Sequence, residues 1–286
     1  MTSIFLAPLA ADAQPSYCER DAGRTTARVA VATAAVGGNI ALHSYFENAW
    51  WSGEKAESFW VNHDWDMQFR DQDKLGHALG GYHLARIGTD LLEVGCFSRR
   101  TALIWGATYA ALFQLQVEIW DGYQAKYGFS PPDLLANTLG TGLFVAQELV
   151  PELRHVKPTF SYWPTRALRR WGDAPGSELR HTVDYSGQTY WLSADVDAML
   201  PDDAARWWPG ILRLSVGHTI SDWIDPATGS SMRARHRVLL SLDIEAAKLP
   251  GDHPVWNRIK EELGYIRFPA PALQIYPSLE GIAWHR

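Results

Sequence analysis

The chain is 286 residues long, 47% hydrophobic and 20% charged, with a formal charge of −6. That length can bury a real core, as one large domain or two modest ones, and the composition excludes wholesale disorder. An acidic balance, with no basic run interleaved with aromatics, excludes nucleic acid as a partner.

In chain order, Ile4-Phe5-Leu6-Ala7-Pro8-Leu9-Ala10 is a short apolar stretch. Ala11-Asp12-Ala13 before Gln14 then has the small-x-small form of a signal-peptidase site. No basic residue precedes it, so residues 1–14 read as a truncated or clipped export signal, the alternative being a disordered tail. Cys18 follows Gln14-Pro15-Ser16-Tyr17, which is not the small-residue box of a lipid-modified cysteine. The two cysteines, Cys18 and Cys96, make no CxxC pair, and both a disulfide and two buried or free thiols are open.

Residues 29–46 and 101–117 contain no Asp, Glu, Lys or Arg, and 134–147 is a shorter run of the same kind if Glu148 is left outside it. The first two approach the ~18–20 residues that cross a bilayer as helix. Their Ala, Gly and Thr suit closely packed helices in lipid or in water alike. Residues 75–92 make a fourth helix candidate in which Gly76, Gly80 and Gly81 need a neighbouring helix against their bare backbone. Between 47 and 72 the chain is aromatic and polar, either an amphipathic segment at a membrane surface or a loop capping the bundle. Ser130-Pro131-Pro132-Asp133 opens a helix that Pro151 stops.

After Pro151 the character changes to linker and short strands. Residues 188–194, 211–218, 235–245 and 271–276 are the strand candidates, and 253–263 a short helix. In 235–245, Val238, Leu240, Leu242 and Ile244 fall on one face, with Leu239, Ser241, Asp243 and Glu245 on the other. The expected architecture is mainly α: a bundle of about four to five helices over 25–152, possibly membrane-embedded, followed by a small antiparallel β-rich module over 153–286.

Three polar groups sit at helical spacing on these apolar segments: Asp73-Lys74-x-x-His77, Glu118-x-x-Asp121-Gly122, and Asp133-x-x-x-Asn137-x-x-Gly140. Left unpaired in an apolar bundle they would cost several kcal/mol, so the expectation is that they meet. His77, Asp73, Glu118, Asp121 and Asp133 are candidates for acid–base chemistry, because a carboxylate beside an imidazole raises its basicity. His77, Glu118, Asp121 and Asp133 are candidates for holding a divalent cation through oxygen ligands and one imidazole. Lys74 and Asn137 are candidate ligand-binding residues. A purely structural polar core is the bland alternative. No GxSxG, HExxH, P-loop or GxGxxG is present, so no common nucleotide or peptidase chemistry is announced.

With those residues quoted, and with Gly128-Phe129-Ser130 between them, the pattern resembles the YfiM-like family of predicted periplasmic lipoproteins of unknown function. A looser form is similar to VanZ-like membrane proteins. The resemblance covers roughly residues 45–150. It implies the bacterial cell envelope, an α-helical core at or in a membrane, and no established reaction. The functional expectation is binding of a lipid or cell-wall precursor between helices. A membrane-associated hydrolase of a lipid-linked phosphate and a structural or assembly partner in the envelope are the rivals.

Overall fold

Four long helices follow one another, and their ends are set by local chemistry. A computed structural model describes residues 15–65, 67–174, 177 and 179–285; the export-signal segment 1–14 lies outside the described residues. The helices are α1 (Asp21–Ala49), α2 (Gln72–Val94), α3 (Arg99–Asp121) and α4 (Pro131–Leu149). Ser98 caps α3 and Ser130 caps α4, each accepting a backbone N–H from the first turn, and prolines occupy the first turn of α4. The chain divides into a helical unit, residues up to 65 with 74–151, and a sheet unit, residues 66–73 with 152–286.

In the helical unit the packing is made by small residues. A Cβ on Gly140 of α4 would lie 1.8 Å from the Ala78 carbonyl oxygen of α2, and one on Gly81 would lie 2.3 Å from the Asn137 carbonyl oxygen. Gly81 thus has the close neighbouring backbone expected for the glycines of α2. A second core forms around Trp51, Phe113 and Val117, with Phe46, Trp50 and Trp120 against it. Of the two readings of the aromatic stretch, residues 51–65 follow the loop one: Trp60 Nε1–H bonds the Gln124 carbonyl and Asn62 the Tyr127 carbonyl. Cys18, just before α1, is joined by a disulfide to Cys96, just after α2, which settles the alternative left open above. Helix α1 is long and apolar enough to cross a membrane by length and composition, and only Val31 of it is buried.

The sheet unit is a six-stranded antiparallel meander in the order β1-β2-β3-β4-β5-β6. Its strands are β1 (Val156–Tyr162), β2 (Gln188–Ala194), β3 (Leu212–Ile220), β4 (His236–Ile244), β5 (Ala270–Tyr276) and β6 (Glu280–His285). Short helices α5 (Arg166–Trp171), α6 (Val196–Met199) and α7 (Asp202–Ala205) lie in the connections, and α8 (Pro254–Leu263) precedes β5. The four expected strands are joined by β1, in the stretch read as linker, and by β6. The two faces of the sheet are unlike each other, and the direction is unusual. Thr159, Ser193, Arg213, Ser215, Ser241 and Asp243 face inward and are buried, while Leu192, Leu214, Val216, Leu242 and Ile244 face outward and are exposed.

Candidate functional site

Helices α2, α3 and α4 bring one polar group each to a common place inside the helical unit. Spacing of three or four residues puts Lys74 and His77 on one face of α2, Glu118 and Asp121 on one face of α3, and Asp133 and Asn137 on one face of α4. Close approach of α2 and α4 at Gly81 and Gly140 then carries His77 to Asn137.

His77 Nδ1 lies 3.1 Å from Asn137 Oδ1 and 3.6 Å from Glu118 Oε1, and its Nε2 lies 3.8 Å from Asp133 Oδ1. Lys74 Nζ is 2.9 Å from Asp133 Oδ1. Asn137 Nδ2–H donates to Glu118 Oε1 at 3.4 Å, and the Ser130 backbone N–H donates to Glu118 Oε2 at 3.3 Å. The Asn137 orientation has a consequence for the ring. With its amide nitrogen committed to Glu118, its oxygen accepts from His77 Nδ1–H, which leaves the Nε2 lone pair on the Asp133 side.

Electrostatics follow from burial. Glu118 is 1% exposed, and its pKa is pushed up to about 8, first by desolvation and then by the charges of Asp133 and Asp121, against the opposing effect of His77. Asp121 is pushed up to about 6, again first by burial, although the Trp51 indole N–H bonded to its Oδ1 at 2.5 Å works the other way. Three carboxyl groups thus share a site with the Lys74 ammonium and the His77 imidazole. One atom each from His77, Glu118 and Asp133 lie within 4.8 Å of one another. Ligands on opposite sides of a cation bound at about 2.0–2.4 Å stand about 4.0–4.8 Å apart, so the spacing and the N,O,O donor set fit a divalent ion. The acidic excess fits it too: a cation would permit Glu118 to ionise.

Of the residues singled out from sequence, Lys74, His77, Glu118, Asp121, Asp133 and Asn137 come together. Asp73 belongs to the sheet unit, where its charge bears on Tyr190. Lys74, a candidate for ligand binding, is engaged by Asp133. Two contributors went unread. Trp51 comes from the aromatic loop, and no local pattern marks one tryptophan among several as a carboxylate donor. Ser130 was legible as a helix cap, but its N–H reaching Glu118 depends on how the α3–α4 turn folds.

Residues 63–147 match the model of a family described as "Predicted periplasmic lipoprotein (DUF2279)". The matched stretch contains every residue of the cluster except Trp51. It agrees with the family resemblance carried by the three motifs and points to the cell envelope, whereas the looser VanZ-like similarity gains no support. No curated protein and no solved structure matches this chain.

Proposed function

Taking the periplasmic family match as premise, we propose that this chain is a cell-envelope protein whose helical unit holds a divalent cation through His77, Glu118 and Asp133. Through that cation it binds a phosphate-bearing envelope lipid or cell-wall precursor. The observation that carries the reading is the meeting of one imidazole and two carboxylates from three separate helices within 4.8 Å. A structural polar core does not need so many acids: one buried carboxyl raised to about 8 weakens the fold at neutral pH unless something cationic answers it. Direct capture of an anion by Lys74 is disfavoured, because Asp133 stands 2.9 Å from its ammonium. The apolar α1, suited by length and composition to a bilayer, supports work at a lipid surface.

The hydrolytic reading draws on the same cluster. His77 lies beside a carboxyl whose pKa is near 8, a pair able to pass a proton at neutral pH. It requires turnover, so release of phosphate from a lipid-linked pyrophosphate by the metal-loaded protein separates it from binding alone.

The test is metal analysis of the purified full chain after equilibration with manganese, zinc or magnesium. One ion per chain, lost in Glu118→Gln and Asp133→Asn, is the expected result. A chain that stays metal-free, with a melting temperature indifferent to all three ions, would leave only the structural core.

A further inference from the structure

The sheet of the second unit is inverted with respect to water. Outward-facing positions of β1 to β4 include no Asp, Glu, Lys or Arg at all. The pairing sets their side chains in rows: Leu192 opposite Val216, Val216 opposite Leu240, and Leu240 opposite Leu273. Leu214 is opposite Leu242, and Leu212 opposite Ile244, in the rows beside them. Four adjacent strands, β2 to β5, therefore present one continuous aliphatic band, with Leu192 52% and Val216 47% exposed. Leaving such half-exposed side chains in water forgoes part of the hydrophobic gain of burial, and contiguous patches of this kind mark a surface that something apolar covers.

The inner face is where a soluble sheet would keep its hydrophobic residues, and here, beside Trp191 and Leu239, it is largely polar. Arg213 Nη1 pairs with Glu245 at 3.2 Å, and Lys157 approaches the same carboxylate at 3.7 Å. Ser193 Oγ shares hydrogen bonds with Thr159 at 2.9 Å and with Ser215 at 2.8 Å. The sheet curls over this interior: Thr189 of β2 meets His285 of β6 at 3.1 Å. The free edge of β1 is engaged as well, Phe160 N–H bonding the Tyr265 carbonyl and Arg267 N–H the Phe160 carbonyl. Apolar residues outside, polar residues inside and a β1 edge engaged by backbone pairing accord with what hydrocarbon demands of a sheet.

A further observation selects lipid as the occupant. Exposed aromatics bracket the aliphatic band at both ends of the strands. Trp163 follows β1 and Tyr276 ends β5 at one end, while Phe268 precedes β5 and Trp284 lies in the last turn of β6 at the other. Such belts sit at bilayer interfaces, where an amphipathic ring finds both phases. The aliphatic rows run over residues 212–216 of β3 and 240–244 of β4, about 16 Å at 3.3 Å per residue, which is about half of the ~30 Å hydrocarbon core.

We infer that the outward face of the β1–β6 sheet is seated in the hydrocarbon of a lipid bilayer. A second copy of the chain would cover a patch of that face but would give the aromatic ends no role. This inference stands apart from the cation site, which lies in the other unit.

The experiment uses the full chain, whose described cysteines are both in the disulfide. A single Val216→Cys variant carries an environment-sensitive fluorophore, in vesicles of phosphatidylethanolamine and phosphatidylglycerol bearing quenchers either mid-chain or on the headgroup. Leu242→Cys serves as a second exposed position should the first disturb folding. The mid-chain quencher is expected to reduce emission at either position at least twofold more than the headgroup quencher. A label at Ala227→Cys, in the exposed turn after β3, is expected to show no such preference. Anchoring by α1 alone cannot mimic the result, because quenching reports depth at the sheet. Labels that remain in water on vesicle-bound protein would overturn the inference, as would shielding that appears without lipid and rises with protein concentration, the signature of a second copy.

Discussion

Glu118 has two donors to its carboxylate, Ser130 N–H and Asn137 Nδ2–H, and still holds its proton more tightly than a free glutamate. Burial is the main cause, and the two nearby carboxyls add to it, while neither hydrogen bond is short enough to offset them. The consequence for stability has a definite sign. Because the folded pKa, about 8, stands above the ordinary 4.5, the folded chain keeps a proton that the unfolded chain gives up. That contribution is complete below the ordinary value and is lost as pH rises through the folded one. Asp121 adds the same trend at lower pH, between 3.8 and about 6. The metal-free chain is therefore expected to melt at falling temperature from pH 5 to pH 8, with the slope flattened in Glu118→Gln; a midpoint that climbs across this window contradicts the assignment. Added divalent cation reverses the slope, since the ion binds the deprotonated site. Trp51→Phe removes the hydrogen bond that holds Asp121 down, so the carboxyl is expected to titrate higher than about 6, read from its carbon chemical shift against pH.

At the scale of elements, α4 offers a paired test of what glycine does. Gly140 meets the backbone of α2, where a Cβ would fall 1.8 Å from the Ala78 carbonyl oxygen, whereas Gly142 has nothing within 4 Å of the equivalent position. Gly140→Ala must push two helices apart at the point that brings His77 to Asn137, and is expected to cost about 2–3 kcal/mol in denaturant unfolding. Gly142→Ala gains helix propensity instead, stabilising by up to about 1 kcal/mol. Equal effects at the two positions would mean the α2–α4 approach is looser than described. The same elements show what was readable beforehand. Three- and four-residue spacing brought His77, Glu118, Asp121, Asp133 and Asn137 to the right faces, because a helix converts spacing into direction with no outside help; it misassigned the first turn of α2, where Lys74 and not Asp73 joins the cluster. Alternation in 235–245 likewise separated Val238, Leu240, Leu242 and Ile244 from Ser241 and Asp243. Which face turns inward is not a local property, however. It follows from Arg213 finding Glu245 and Ser193 finding Thr159 and Ser215 across three strands, and periodicity carries no trace of such pairings. β1 went unread for a similar reason: Pro158 and the prolines after it look like linker until β2 pairs alongside.

For the molecule as a whole, the disulfide links compartment to stability. Cys18 and Cys96 are 78 residues apart, and closing a loop of that length in the unfolded chain contributes about 4–5 kcal/mol in the chain-entropy account. The bridge joins the start of α1 to the end of α2, so it holds α1, which has bilayer length and composition and of which only Val31 is buried, to the rest of the helical unit. Such a bond persists in an oxidising compartment and not in a reducing cytosol, in keeping with the envelope location that the family match indicates. Protein made in a reducing cytosol is accordingly expected to present two titratable thiols and to have α1 cleaved by dilute protease well before the rest. Protein recovered from the periplasm should present none and resist. Cys18→Ser should reproduce the reduced behaviour in either compartment. Identical protease patterns for the two preparations would show that α1 stays in place without its covalent tie, and the burden of holding it would then pass to packing along its length, where Val31 alone is inside.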